Sequence, residues 1–129
     1  MIYVDSSVVL AQLLAEDRYP PRSFWDQGSL VASRLLEYEV WNRVNALGLT
    51  GSHPEDVRAL AARISFLEMV PPVVSRALEP FPVPVRTLDA LHLASIDFLR
   101  GLGQRPYLAT FDLRMAQAAG AMEIPVLGW

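Results

Sequence analysis

The chain has 129 residues, room for one domain and not for two. With 52% hydrophobic residues it can build a core without staples, and with no cysteine it excludes disulfides, zinc ribbons and thiol nucleophiles. All 11 basic residues are arginine, which excludes P-loop and Schiff-base lysines, and a net charge of −3 speaks against holding nucleic acid by bulk electrostatics alone.

Short apolar runs alternate with helix-like segments along the chain, the pattern of a parallel α/β sheet. Residues 1–5 (MIYVD) read as a first strand buried on both faces, and Val8, Val9, Leu13 and Leu14 then recur at helical spacing. Pro20 and Pro21 break that helix and start a short one through Phe24 and Trp25. SLVA (29–32) suits a second strand, and Ser33 is placed to cap a helix striped by Leu36, Val40, Val44 and Leu47. Ser52-x-x-Glu55 with Pro54 reads as a capping box, opening a helix that runs to about Leu67. MVPPVV supplies a short third strand, and EPFPVPVR is an extended connector. Thr87 caps LDALHLASIDFL, which ends at Gly101; PYLATF is a strand, LRMAQAAG a helix and IPVLG a last strand. No basic n-region opens the chain and no run reaches the ~18 apolar residues of a membrane helix, so the expectation is a soluble, cytoplasmic protein.

Chemistry in open α/β sheets gathers at the carboxyl ends of strands. Asp5 ends the first strand and Asp112 follows the strand ending Ala109-Thr110-Phe111; Asp89 lies in a first helical turn and Glu39 inside a helix. Each has a plain alternative. An aspartate after a strand caps the next helix, Asp89 complements a helix dipole, and Glu39 pairs with Arg43 four residues on. Periodicity does not separate Glu39 from Glu37. The two histidines, His53 and His92, are too few for a histidine-rich metal site; His92 is a packed helix residue or a proton carrier. Asp97 is expected to face solvent. Trp25 and Trp41 either stack on bases or belong to the core or a dimer interface.

In order and spacing, IYVDSSVVL, SRLLEYEV, RTLDALHLA and ATFDLRMAQAAG resemble the four motifs of PIN-domain nucleases, most closely those of VapC toxins from toxin–antitoxin pairs. The resemblance spans nearly the whole chain. It implies one α/β domain over residues 1–129, a five-stranded parallel sheet flanked by helices. It maps the family's catalytic, metal-binding acids onto Asp5, Glu39, Asp89 and Asp112, register against Ser33-Arg34-Leu35 choosing Glu39 over Glu37. Supporting hydroxyls fall on Ser7 and Thr110, and Arg34, Arg86 and Arg114 are candidates for RNA phosphates. Met115 and Ala116 stand where some members carry a further acid, so a second metal would be thinly held.

The implied activity is an endoribonuclease using Mg²⁺ or Mn²⁺, leaving a 5′-phosphate and a 3′-hydroxyl. Implied partners are an RNA, a cognate antitoxin that inserts a basic side chain among the acids, and a second copy of the chain; FWDQ and YEVWN carry aromatics expected at the surface. The chemistry agrees. Two unit charges at ~4 Å repel by about 4 kcal/mol at an effective dielectric near 20, so clustered carboxylates call for a hard cation. A haloacid-dehalogenase-like phosphatase would need an aspartate where Ser7 stands, and it and a receiver domain would need a lysine. A PIN-fold binding module without activity is the remaining rival.

Overall fold

The computed structural model describes all of residues 1–129. Four parallel strands, β1 (Ile2–Val4), β2 (Leu30–Ser33), β3 (Ser65–Leu67) and β4 (Tyr107–Ala109), lie in the order β3-β2-β1-β4. Alternate residues of each strand enter opposite cores. Ile2, Val4, Leu30, Ala32 and Ala109 pack with helices α1 (Ser6–Leu13), α2 (Arg22–Trp25), α3 (Leu35–Ala46) and α4 (Pro54–Ala61). Tyr3 and Leu108 pack with α6 (Thr87–Gly101) and α7 (Leu113–Ala121). Burial on both faces explains why the strands read as continuous apolar runs rather than alternating ones. The chain passes from β1 to β2 and β3 on one side, then returns to place β4 on the other. The carboxyl ends of β1 and β4 therefore flank the switch point of the sheet, where such folds leave a crevice.

Several boundaries differ from the sequence expectations. The sheet has four strands, not five. IPVLG touches β4 through the single bridge Leu108–Val126, its Pro125 carbonyl accepting from Leu108 N–H at 2.8 Å. Pro125 has no N–H to continue a ladder. The third strand is SFL, not MVPPVV, and α4 stops at Ala61 rather than near Leu67. Pro71 and Pro72 instead open helix α5 (Pro71–Ala77), where a missing N–H costs nothing because first-turn donors have no helical partner. The expected capping box is absent. His53, not Ser52, is the N-cap of α4, and the Ser52 hydroxyl turns back to the Leu49 carbonyl. Thr87 is the first residue of α6 rather than its cap. Residues 79–86 form the expected extended connector. Helices α3 and α6 each end two residues before a glycine at positive φ, Gly48 (70°) and Gly103 (86°), the left-handed position that closes a helix.

Candidate active site

Asp5 leaves β1 at the switch point, only 4% exposed. It offers no side-chain cap to α1. Its Oδ2 accepts the hydroxyls of Ser7 (2.7 Å) and Thr110 (2.8 Å). Each hydroxyl thereby uses its one proton on Asp5 and accepts a backbone N–H in turn, Ser7 from Phe111 (2.9 Å) and Thr110 from Asp112 (3.0 Å). The lattice ties the end of β1 to the turn after β4 and leaves Asp5 Oδ1 free of protein partners. Asp112 divides its two oxygens between tasks. Oδ1 caps α7 through Arg114 and Met115 N–H, and Oδ2 receives Arg86 Nη2 at 2.7 Å.

Glu39 comes from α3, which follows β2. Its Oε1 pairs with His92 Nε2, and its Oε2 faces the Ser6 hydroxyl at 3.4 Å. No Glu39–Arg43 pair forms. Glu37 instead turns to Arg34 on the exposed surface, 3.0 Å away. His92 is fully buried, and its Nδ1 lies 2.7 Å from the Tyr3 hydroxyl, which also accepts Ser33 N–H. Burial pushes the Tyr3 phenol well above its ordinary pKa, so it stays protonated. Burial alone would push the His92 imidazole down. The hydrogen bond it donates to Glu39 and the charges of Glu39, Asp5 and Asp89 outweigh that, holding its pKa above the ordinary histidine value. In the neutral ring Tyr3 donates to Nδ1, and in the charged ring Nδ1–H donates to Tyr3. Either way a proton on Nε2 faces Glu39. A packed histidine read from sequence is thus also the clamp on Glu39, a role that spacing on α6 did not signal.

Asp89, in the first turn of α6, receives Arg86 Nε at 3.0 Å. Arg86 therefore bridges Asp89 and Asp112, and these two carboxylates keep its pKa raised and its charge in place. Asp5, Glu39, Asp89, Asp112, Ser6, Ser7 and Arg86 line one open cavity of about 510 Å³. Arg114 stands beside it, with Arg86 and Asp89 in a neighbouring cleft, and pairs with no carboxylate. Arg34 lies elsewhere, bound to Glu37 and Glu68 and set over the Phe66 ring at 4.7 Å. Asp97 does not face open solvent; Arg76 holds it at 2.8 Å. Trp25 is core and donates to Gln12, and Trp41 is half-buried beside Arg58. Phe24 is also core, so FWDQ does not carry surface aromatics, whereas Tyr38 of YEVWN is 63% exposed.

The donors suit a hard divalent ion: all are carboxylate oxygens, carried by four different segments into one cavity. In this arrangement no three of them stand together at metal-holding positions. The chain's own hydroxyls, His92 and Arg86 engage them instead.

The PIN domain model matches residues 2–121. Ribonuclease VapC35 of Mycobacterium tuberculosis is 27% identical over 98% of this chain and 96% of its own length, in each of two strains. Two solved structures share the fold. One is VapC20 of Mycobacterium tuberculosis, described as a sarcin-ricin loop cleaving toxin, with a TM-score of 0.66 and 17% identity over 92% of this chain and 95% of its own. The other is PAE2754 of Pyrobaculum aerophilum, with a TM-score of 0.62 and 19% identity over 91% of this chain and 83% of its own.

Proposed function

The chain belongs to the PIN-domain family, and from that premise we propose that it is a divalent-metal-dependent endoribonuclease, the toxin of a VapC-type pair. The observation that carries the reading is the meeting of Asp5, Glu39, Asp89 and Asp112 in one cavity at the switch point of the sheet. The names of its relatives, Ribonuclease VapC35 and a toxin that cleaves an RNA loop, favour RNA over other phosphodiesters.

Asp5, Asp89 and Asp112 would hold Mg²⁺ or Mn²⁺, with Glu39 beside them. When bound, the ion supplies charge neutralisation at the phosphodiester and lowers the pKa of a water. The remaining steps fall to the chain. Glu39, fixed by His92, orients the attacking water and takes its proton. Water oxygen bonds to phosphorus, the bond to the 3′-oxygen breaks, and that oxygen takes a proton from solvent water to leave as a 3′-hydroxyl. The other product keeps a 5′-phosphate. With Asp89 and Asp112 holding an ion, Arg86 would be released from them and, together with Arg114, be available to the RNA phosphates. An antitoxin that inserts an arginine among the acids would compete with Arg86 rather than fill an uncompensated charge. A homodimer belongs to the same proposal. Its support is the exposed apolar side chains Val74 (41%), Leu78 (83%) and Val83 (36%), which line one open groove between α5 and the connector.

Incubation of the protein with structured and single-stranded RNA in Mg²⁺, in Mn²⁺ and in chelator tests the reading. Cleavage is expected with either ion and lost with chelator. Cleavage that survives chelator, or none under any condition, overturns it.

A further inference from the structure

Beside the acid cavity lies an aromatic group that the phosphodiester chemistry leaves unused. Phe111 stands between Thr110 and Asp112, and its backbone N–H is bound by the Ser7 hydroxyl, so its position is fixed by the site itself. Its ring is stacked with Trp129, centroids 4.8 Å apart and planes at 25°. Trp129 also meets the edge of Phe24 at 5.1 Å, and Phe24 is buried in the core. The Arg18 guanidinium lies 5.1 Å from the Phe111 centroid, exposed and paired with no carboxylate. Trp129 and Arg18 thus cover the Phe111 ring, and the ring left open to a base is that of Trp129, 39% exposed and backed by Phe111 and by Phe24, which is 2% exposed.

We propose that Phe111, Trp129 and Arg18 form a stacking platform for one nucleobase of the RNA, next to the phosphate held at the acids. The proposal rests on the ribonuclease reading and deepens it. The acid cavity is lined by carboxylates, hydroxyls, one cation and the aliphatic Leu10 and Leu88 but by no aromatic ring, so it grips a phosphate and offers a base no π-face to stack on. A chain of net charge −3 gains little from long-range attraction of RNA, which makes a local surface of π-face and guanidinium the fitting complement. Stacking accepts any base, so the platform sets where the strand lies rather than which base is read.

The test measures single-turnover cleavage of a short labelled RNA pool of mixed sequence in Mg²⁺, as a function of protein concentration. Trp129→Leu and Phe111→Leu should raise the half-saturating concentration by roughly tenfold, with the maximal rate changing much less. Trp129→Tyr should recover most of the loss and Arg18→Gln should give a smaller rise. The same pool with abasic nucleotides should bind wild type more weakly and respond little to Trp129→Leu. Thermal melts separate binding from folding, and if Trp129→Leu unfolds, the Phe111→Leu and Arg18→Gln variants carry the test. Wild-type cleavage with no rise in half-saturation for these variants overturns the platform and leaves the nuclease standing. An equal loss on abasic RNA also overturns it, since Trp129 would then act through the fold. No cleavage of any RNA by wild type overturns both.

Discussion

Arg86 places one guanidinium on two carboxylates, Nε on Asp89 and Nη2 on Asp112, and so supplies in the metal-free protein the positive charge that an ion would bring. Only one of the two can sit there. Arg86→Gln should therefore tighten Mn²⁺ binding by a few-fold in calorimetry, a size in keeping with an exposed ion pair. RNA affinity should fall in the same variant, because a phosphate contact has gone. Weaker Mn²⁺ binding would show that Arg86 props the acids rather than competes for them. Asp5 is both a candidate ligand and a buried acceptor of two hydroxyls, and the two roles use different oxygens. In Asp5→Asn the amide carbonyl can keep Ser7 and Thr110 while the NH₂ replaces the outward oxygen. Melting in chelator should stay within about 1 kcal/mol of wild type, and the stabilisation by Mg²⁺, roughly 2.7 kcal/mol at ~100 times its dissociation constant, should shrink or vanish. A variant that keeps the full Mg²⁺ response would remove Asp5 from the metal set.

The elements reach the site through one small lattice at the ends of β1 and β4. Ser7 and Thr110 donate to the same oxygen of Asp5 and each accepts one N–H of the turn before α7. Ser7→Ala and Thr110→Val should each destabilise by about 1–3 kcal/mol in urea melts, since each leaves a backbone N–H without its acceptor. The double variant should deviate from the sum, because both act on Asp5; strict additivity would contradict a shared lattice. Asp5 and Asp112 can be placed in sequence because a strand's end shows as an apolar run meeting a polar residue, whereas Ser7 and Thr110 stand out only through the resemblance to PIN-domain motifs. The third strand is not legible. ISFL is too short to be told from the end of a helix, and two consecutive prolines suggest extended chain although they also open α5. The last strand was overcounted because Pro125 lies in an apolar run yet cannot donate to a ladder. Arg86 has Asp89 three residues on, but its second partner Asp112, and Tyr3 and Glu39 as the partners of His92, come from distant segments that no local pattern encodes. Nothing near Trp129 in sequence announces Phe111 as its neighbour.

At the scale of the whole molecule, the apolar groove at Val74, Leu78 and Val83 predicts self-association. Light scattering at micromolar concentration should give twice the chain mass, and Leu78→Glu should lower it if α5 and the connector form the contact. A wild-type monomer would remove the dimer. The sheet, the two cores and the lattice all serve to place four acids around one cavity, and the claim that this cavity hydrolyses RNA with a metal-activated water has a direct isotopic reading. Single-turnover cleavage in ¹⁸O-enriched water with Mg²⁺ should put the heavy oxygen on the 5′-phosphate of the downstream product and leave a plain 3′-hydroxyl upstream. A 2′,3′-cyclic phosphate upstream, with no heavy oxygen on a 5′-phosphate, would mean that the RNA's own 2′-hydroxyl is the nucleophile and would contradict the account.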